Sequence, residues 1–320
     1  MKVLIGSNPM GLEAAIPELE ASFPGVEFEH CEHREDLPSA ITDADVYMGW
    51  LNREVFLAAE NLKWLQSPSS GVNYFLEIPE LVESDVLLTS AVGTHSVCLA
   101  ESVMAMILAF TRGIKAALEA QREHRWAGRD IRRELVELTD ATMGIVGLGS
   151  VGRALATRAA AFDMRVLAVD LYTEDKPDTI DALWSNERLH EMLAQSDYVV
   201  VTVPWTPETE GMIGPEEIAA MKEGAILIGI SRGGIIDQKS MAKALRSGHL
   251  KAAASDVFKP EPLPEDNELW DLENFIVTPH AAGGTQYEGE RVLAIFKENL
   301  ARFLNDDLPL RNQVDKTRGF

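Results

Sequence analysis

Three charged or titratable side chains each follow a short apolar run in the C-terminal third of the sequence. Arg232 follows "AILIGIS", Glu261 lies within "FKPEPLP", and His280 follows "FIVTP". An arginine can bind a carboxylate through two parallel hydrogen bonds. A glutamate beside a histidine stabilises the imidazolium form, which is the form that donates a proton. Together these residue types could bind a small acid and protonate it.

Each of these residues also has an ordinary structural explanation when it is taken alone. Arg232 could cap the glycine turn that follows it, Glu261 could be a loop acid between two prolines, and a lone histidine at a strand end is often structural. Their order favours a site, because each follows a successive predicted strand and the carboxyl ends of parallel strands share one edge of a sheet. Asp256 also stands at a predicted strand end in this series.

A glycine-rich loop, "GLGSVG", follows the apolar run "MGIV" and precedes the helix-like "SVGRALATRAA". Glycines in this spacing between a strand and a helix are typical of a dinucleotide-binding loop. The first glycine permits a tight turn, the second lets the backbone approach a pyrophosphate, and the third lets helix and strand pack closely. The N-terminus of the helix then faces the negative charge of the pyrophosphate. The predicted cofactor-binding residues of this loop are Gly147, Gly149, Ser150, Val151 and Gly152.

The next predicted strand ends at Asp170, about 20 residues after the glycine loop, which is the usual distance in this fingerprint. Its carboxylate would accept hydrogen bonds from the adenosine ribose and would repel a 2′-phosphate. Residues 171–173 supply no arginine for that phosphate. We therefore expect NAD, with NADP less favoured. The alternative is an ordinary turn followed by a strand-end aspartate.

The elements that must position these residues alternate between strand and helix, which predicts parallel sheets covered by helices. We expect two Rossmann-like doubly wound domains: a flavodoxin-like substrate domain, residues 1–100 plus 290–320, and an NAD-binding domain, residues 101–289. The predicted strands are Val3 to Ile5, Asp45 to Met48, Lys63 to Gln66, Val86 to Thr89, Met143 to Val146, Arg165 to Val169, Tyr198 to Val203, Ala225 to Ile230, Ala252 to Ser255 and Phe275 to Thr278. The predicted helices are Leu12 to Ser22, Ser96 to His124, Ser150 to Ala161, Leu189 to Gln195, Pro215 to Met221, Gln238 to Ser247 and Gly289 to Leu304.

The charge and composition narrow the possible partners. The chain of 320 residues has 51 acidic and 29 basic residues and a formal net charge of -22, so its surface repels nucleic acid and anionic membranes. A net charge of this size is explained either by a general need for solubility or by adaptation to a salty cytoplasm. No apolar run reaches the length of a membrane span. Two cysteines provide no disulfide framework, and we expect a cytoplasmic protein.

The sequence resembles the D-isomer-specific 2-hydroxyacid dehydrogenase family along essentially its whole length. The resemblance rests on four blocks in order: "GIVGLGSVGRALA", "VTVPWTPETEGMIG", "SRGGIIDQKSMAKALRSGHLKAAASDVFKPEPLP" and "NFIVTPHAAGGT". It implies an NAD-dependent oxidoreductase that transfers a hydride between NAD(H) and a small 2-hydroxy or 2-keto acid, such as a glyoxylate or hydroxypyruvate reductase, with a phosphoglycerate dehydrogenase less favoured. It also implies a homodimer.

The resemblance assigns roles to residues already singled out. Arg232 would bind the substrate carboxylate and carbonyl, His280 would be the acid/base, and Glu261 would support it, while Asp256 would orient the nicotinamide carboxamide. Backbone near the cofactor would come from Val203, Pro204, Ile230, Ser231 and Gly283. Family members often have asparagine shortly before the Ser-Arg-Gly motif and leucine at the position of Trp205, so fine cofactor contacts are in doubt.

An earlier stretch, "LQSPSSGVNYF", resembles the family's substrate loop. Backbone N–H groups of Ser70, Gly71 and Val72 would form an anion nest for the substrate carboxylate, alongside Arg232 and His280. An ordinary serine-rich turn is the alternative. The segment that follows, "GTHSVCLAES", places Thr94 where the family approaches the nicotinamide.

Other readings stay open. The same fold and blocks occur in NAD-binding corepressor-like regulatory proteins. The segment "EHCEHRED" has two histidines and a cysteine but no partner cluster elsewhere, so we expect no metal site there. Trp126 could reach a partner subunit's active site, pack in an interface or lie in the core.

Overall fold

The computed structural model of the protein describes residues 1–8 and 10–320. The chain divides into two compact units, Met1–His95 with Thr285–Phe320 and Ser96–Gly284. The domain boundaries predicted from the sequence, 100/101 and 289/290, each lie five residues after the boundary between the two units.

The strands are β1 (Lys2–Ile5), β2 (Glu27–His30), β3 (Val46–Met48), β4 (Trp64–Gln66), β5 (Leu87–Thr89), β6 (Thr142–Val146), β7 (Arg165–Val169), β8 (Ala182–Trp184), β9 (Tyr198–Val201), β10 (Ala225–Gly229), β11 (Leu250–Ser255) and β12 (Phe275–Val277). The helices are α1 (Ile16–Ser22), α2 (Leu37–Ala40), α3 (Arg53–Ala58), α4 (Asn73–Leu76), α5 (Pro79–Glu83), α6 (Ser96–Thr111), α7 (Ile114–Arg122), α8 (Gly128–Glu134), α9 (Ser150–Ala161), α10 (Leu189–Gln195), α11 (Pro215–Ala220), α12 (Gln238–Ser247) and α13 (Glu288–Leu304). Short 3₁₀ turns cover Leu12–Ala15, Arg34–Asp36, Asn186–Arg188 and Glu268–Asp271.

The first unit contains a five-stranded parallel sheet in the order β2-β1-β3-β4-β5, which is the flavodoxin-like order. Helix α13 packs on this sheet, where Phe296 stacks on Trp64 of β4 with ring centroids 5.3 Å apart. Strand β2 escaped prediction because it is an edge strand with alternating exposure and only one apolar residue, Phe28.

The second unit contains a seven-stranded parallel sheet in the order β12-β11-β10-β9-β6-β7-β8. Its strand order reverses at β6, which pairs with both β7 and β9, and this is the Rossmann arrangement. The predicted fold class, two doubly wound parallel sheets, is confirmed. Strand β8 was missed because it has only three residues and none of them is fully buried.

The long helix predicted from Ser96 to His124 is wrong in detail. The chain forms two helices, α6 and α7, that meet at 65°. Gly113 joins them in the left-handed region with φ +66°, and a Cβ at this position would lie 2.6 Å from Cγ2 of Ile131. Glycine therefore ends α6 for both conformational and steric reasons. The segment after α7 contains α8, a helix that was not among those predicted from the sequence.

Among the described residues, no single helix is long and apolar enough to cross a membrane. The bent α6–α7 pair meets that length and composition only when its two helices are counted together.

Candidate active site

The glycine loop between β6 and α9 is built to approach a ligand closely. Gly147 has φ +96°, and a Cβ on Gly152 would lie 2.3 Å from the carbonyl oxygen of Gly147. A side chain at Gly149 would meet no atom within 4 Å, so that side of the loop is open. Within the described chain, the N–H groups of Gly149, Ser150 and Val151 donate to no acceptor. These donors at the start of a twelve-residue helix fit a dinucleotide pyrophosphate.

Asp170, at the end of β7, is hydrogen-bonded to this loop. Its Oδ2 accepts the N–H of Leu148 at 2.6 Å, and its Oδ1 accepts the N–H of Tyr172 at 2.9 Å. Arg153 contacts the same residue of the loop, because its Nε donates to the carbonyl oxygen of Leu148 at 3.1 Å. Its Nη1 lies 3.1 Å from Oδ2 of Asp175. The sequence reasoning considered only the residues after Asp170 and missed this arginine.

His280 and Glu261 form a hydrogen-bonded pair. Nδ1 of His280 lies 2.7 Å from Oε2 of Glu261, while Oε1 of Glu261 accepts the N–H of Phe258 at 2.7 Å. The side chains are 47% and 34% exposed, so a ligand can reach them. Nε2 of His280 has no hydrogen bond to any described residue. That nitrogen is therefore the one available to a substrate.

The buried carboxylate of Asp256 organises the turn that carries His280. Its Oδ1 accepts the hydroxyl of Thr278 at 2.6 Å and the N–H of Ala281 at 3.0 Å. Its Oδ2 accepts the N–H of Ala282 at 3.1 Å. The carbonyl oxygen of Asp256 accepts the N–H of His280 at 2.9 Å. His280 has φ +51°, an uncommon conformation for a residue with a side chain, so these bonds hold the turn in place.

Arg232 follows β10 at the same edge of the sheet. Its Nη1 donates to the carbonyl oxygen of Ser231 at 2.8 Å. The next residue must be glycine, because a Cβ on Gly233 would lie 1.9 Å from the carbonyl oxygen of Phe258. Phe258 also donates its N–H to Glu261. The Arg232 turn therefore packs against the loop that presents Glu261.

The other predicted cofactor residues follow neighbouring strands. Val203 adjoins the glycine loop, since its Cγ1 lies 2.8 Å from the position of a Cβ on Gly147. The carbonyl oxygen of Pro204 accepts the hydroxyl of Thr209. Ile230 is buried and Ser231 is half-buried directly after β10. The carbonyl oxygen of Gly283 accepts the thiol of Cys98 at 3.1 Å. Their cofactor contacts remain predictions.

The predicted substrate loop lies in the first unit, and its backbone donors are unused. The N–H groups of Ser70, Gly71 and Val72 donate to no acceptor in the part of the chain that the structure describes. Three consecutive free donors of this kind can bind an anion. The nest itself, with a bound carboxylate, remains a prediction.

A series of hydrogen bonds between side chains supports the substrate loop. Oγ of Ser70 lies 3.0 Å from Nδ1 of His95 and also donates to the carbonyl oxygen of Ala91. Nε2 of His95 lies 2.9 Å from Oε1 of Glu288, at the start of α13. The pairing of His95 with Glu288 was not predicted from the sequence, because 193 residues separate them and no local pattern links Glu288 to the segment "GTHSVCLAES" that contains His95. Arg291 donates to the carbonyl oxygen of Thr94, whose buried hydroxyl has no hydrogen-bond partner among the described residues.

Two remaining features from the sequence have defined surroundings. No group of three or more His, Cys, Asp or Glu residues in positions 1–8 and 10–320 could hold a metal ion. In "EHCEHRED", Cys31 is buried and donates its thiol to the carbonyl oxygen of His33. Trp126 is 99% exposed, so the suggestion that it lies in the core is wrong.

The fold and site define a dinucleotide-binding protein of the doubly wound parallel α/β class. The family model for the NAD-binding domain of D-isomer specific 2-hydroxyacid dehydrogenases matches residues 104–282. The chain belongs to the D-isomer specific 2-hydroxyacid dehydrogenase family.

Two curated relatives illustrate this membership. The chain is 33% identical to a glyoxylate reductase of Korarchaeum cryptofilum over 296 residues, which cover 91% of this chain and 86% of the relative. It is 33% identical to a D-3-phosphoglycerate dehydrogenase of Methanocaldococcus jannaschii over 279 residues, which cover 86% of this chain. The matched region spans only 52% of that longer relative.

Solved structures give the same result. A D-isomer specific 2-hydroxyacid dehydrogenase of Xanthobacter autotrophicus, in complex with NADPH and MES, has a TM-score of 0.85 and 29% identity, with 99% of each chain covered. An NADPH-dependent glyoxylate/hydroxypyruvate reductase of Sinorhizobium meliloti has a TM-score of 0.85 and 28% identity, with 100% of this chain and 99% of the other covered.

Proposed function

We propose that the protein is an NAD-dependent reductase of small 2-keto acids, working reversibly as a D-2-hydroxyacid dehydrogenase. The observation that carries this proposal is the His280–Glu261 pair, at 2.7 Å, beside the Arg232 turn on the edge of a dinucleotide-binding sheet. An acid, a carboxylate-binding cation and a dinucleotide loop are the parts that ketone reduction requires.

The proposed chemistry assigns one task to each side chain. A dinucleotide held by the loop of residues 147–152 would supply the hydride for the carbonyl carbon. His280 donates the Nε2 proton to the carbonyl oxygen, giving the hydroxyl group, and the neutral imidazole recovers a proton from solvent. Glu261 accepts the Nδ1 hydrogen and thereby fixes the orientation of the ring. Arg232 binds the carboxylate bidentately.

The substrate loop and the two structural units have roles in the same proposal. Ser70, Gly71 and Val72 bind the substrate carboxylate through their free N–H groups. Residues 1–95 with 285–320 form the substrate domain, and residues 96–284 form the cofactor domain. Asp256 acts as a positioning residue for His280, in addition to any contact with the nicotinamide carboxamide.

NAD is the preferred cofactor in this proposal, because the carboxylate of Asp170 stands at the loop where a 2′-phosphate would bring negative charge. Arg153 is the opposing feature, since its guanidinium adjoins Leu148 in the same loop, and two similar structures are named with NADP or NADPH. The ratio of kcat/KM for NADH and NADPH measures the preference. A ratio below one would contradict it, and Asp170→Ala should lower the ratio.

We also place the protein in the cytoplasm as a homodimer. The segment from Arg122 to Arg133 carries five arginines against two acidic residues and includes the exposed Trp126. A basic, aromatic surface on a chain of net charge -22 fits a second copy of the same acidic chain. Sedimentation velocity tests this: the native chain should be dimeric, and Trp126→Ala should shift it towards monomer.

The regulatory alternative has no support in the relatives and structures reported above, which are named as reductases and dehydrogenases. A single experiment separates the two functions. The protein is incubated with glyoxylate, hydroxypyruvate, pyruvate, phenylpyruvate and branched 2-keto acids while NADH or NADPH oxidation is followed. Turnover of at least one keto acid is expected. NADH binding without turnover of any of them would favour the regulatory protein.

A further inference from the structure

The first unit contains a cavity that the proposed chemistry does not use. Its volume is about 680 Å³, within the range of small-molecule sites. It lies at the carboxyl ends of β2, β1 and β3, where the strand order reverses around β1. In parallel α/β sheets this is the position at which ligands bind. The side chains that define its character are His33, Arg34, Leu37, Trp50, Leu51 and Tyr74.

The walls and the mouth of the cavity differ in chemistry. Leu37 and Leu51 are buried apolar walls, and Trp50 adds a half-buried aromatic wall. Arg34 and His33 are exposed cavity-lining residues on the segment after β2. Apolar walls with a few convergent polar groups are typical of a site that binds a molecule with an apolar body and a polar end.

Arg34 is a cation without an internal partner. Within residues 1–8 and 10–320, no carboxylate forms an ion pair with it and no acceptor takes its guanidinium hydrogens, although Glu35 and Asp36 follow it directly. Arg34 is the cationic side chain on the lining of this cavity, in a segment that also carries Glu29, Glu32, Glu35 and Asp36. The imidazole of His33 is likewise unpaired in the described chain. Both are available to an anion.

The cavity adjoins the proposed substrate loop. The indole Nε1–H of Trp50 donates to Oγ of Ser69 at 3.0 Å, and the hydroxyl of Tyr74 lies 3.5 Å from the same oxygen. Ser69 directly precedes the free N–H groups of residues 70–72. Two cavity walls are therefore bonded to the loop proposed to bind the substrate carboxylate.

We infer that this cavity takes the side chain of the 2-keto acid, and that the side chain it fits is an apolar stem ending in a second acidic group, a carboxylate or a phosphate. The inference rests on the proposed function. The stem packs against Leu37, Leu51 and Trp50, and the terminal anion pairs with Arg34. Glyoxylate and pyruvate leave most of the cavity to water, so they are reduced less efficiently than a substrate that fills it.

Matched substrates test the inference. 2-Oxohexanoate and 2-oxoadipate have the same stem and differ only in a terminal methyl or carboxylate. At low ionic strength we expect kcat/KM to be about tenfold or more higher for 2-oxoadipate. Hydroxypyruvate and phosphohydroxypyruvate form a second pair for a terminal phosphate. The pair with the larger ratio identifies the acidic group that the cavity prefers.

The Arg34→Gln variant should bring the preferred ratio close to one, with an unchanged melting temperature to show that the fold is intact. Arg53→Gln is the matched control, because Arg53 belongs to the same unit but pairs with Glu80 outside the cavity; its ratio should stay at the native value. A native ratio of one or less in both pairs, or a high ratio that Arg34→Gln leaves unchanged, would overturn the inference. Failure to reduce any 2-keto acid, glyoxylate included, would instead count against the proposed function.

Discussion

Nδ1 of His280 lies 2.7 Å from Oε2 of Glu261, and the backbone of His280 adopts φ +51°. The hydrogen bond occupies Nδ1 with the carboxylate, so in the proposed reaction the proton for the substrate would come from Nε2. His280→Ala should lower kcat by a factor of about 10² to 10⁴, because the general acid is lost. Stopped-flow or steady-state NADH oxidation measures this. NADH affinity, followed by fluorescence, should stay within about threefold. A His280→Ala enzyme with native kcat would show that the proton has another source.

Arg232 is expected to act through its planar, bidentate geometry as well as its charge. Arg232→Lys keeps the charge but loses the second parallel hydrogen bond, so KM for the keto acid should rise by about ten- to a hundredfold. Arg246→Gln provides a control in the same unit, because Arg246 pairs with Glu268 on the surface. If Arg232→Lys had native KM values for every keto acid, the carboxylate would have to be bound elsewhere.

Asp256 should be needed for the shape of the His280 turn. Asp256→Asn replaces one acceptor oxygen with an amide that cannot accept, so one of the donors from Thr278, Ala281 and Ala282 loses its partner. We expect a loss of about 1–3 kcal/mol in the free energy of unfolding, measured by urea titration, and a fall in kcat that exceeds the change in keto-acid KM. Thr278→Val removes a donor together with its bond, and Oδ1 of Asp256 still accepts the N–H of Ala281. Because no buried donor is then left without an acceptor, the effect on both quantities should be smaller. Native kcat in Asp256→Asn would contradict the positioning role.

The Ser70–His95–Glu288 hydrogen bonds should be coupled in function. His95→Ala removes the imidazole bonded to Ser70, which then keeps only its bond to Ala91, and Glu288→Ala removes the partner that holds that imidazole. Each change should therefore raise the keto-acid KM several-fold with little change in kcat. Because both changes break the same chain of bonds, the keto-acid KM of the double variant should be no higher than that of the more impaired single variant. His190→Ala is a matched control, since His190 forms a similar pair with Glu217 on the surface of the other unit. Additive effects of the two changes would mean that the residues act independently.

Asn299 should be a large single contributor to the stability of the first unit. It is fully buried; its Nδ2 donates to the carbonyl oxygen of Arg311 at 3.0 Å, and its Oδ1 accepts the N–H of Arg311 at 2.7 Å. Asn299→Ala removes both bonds to the backbone of Arg311 and the Nδ2 bond to the buried Oε1 of Gln66 at 3.2 Å, which together should cost about 2–4 kcal/mol. Asn305→Ala, on the exposed end of the same helix, should cost about 0.5 kcal/mol. Equal losses in the free energy of unfolding for Asn299→Ala and Asn305→Ala, measured by urea titration, would contradict this prediction.

Strands with continuous apolar runs could be predicted from the sequence. Residues 198–201, for example, read Tyr-Val-Val-Val because both faces of that strand are covered, and their run is unambiguous. Glu27–His30 could not be found in this way, because three of its four residues are polar and its strand lies at an edge. The register in which this strand pairs with β1 is set by the folded sheet and cannot be predicted from the four residues themselves.

The same contrast holds within the candidate site. His280, Glu261 and Arg232 follow successive strands, so their meeting at one sheet edge could be expected from their order alone. The support of Ser70 by His95 and Glu288 depends on α13 packing against residues nearly 200 positions earlier. No local pattern encodes such a contact. The unpaired state of Arg34 likewise depends on where neighbouring carboxylates point, which composition does not reveal.

The packing of Phe296 on Trp64 has a consequence for synthesis. As the chain leaves the ribosome, Trp64 emerges long before the helix that covers it, and the whole of residues 96–284 is made in between. The unit that starts first can therefore complete its core only last, after the inserted unit has had time to fold. Until then the indole of Trp64 lacks its contact with Phe296, and we expect chaperones to retain nascent chains stalled before residue 285.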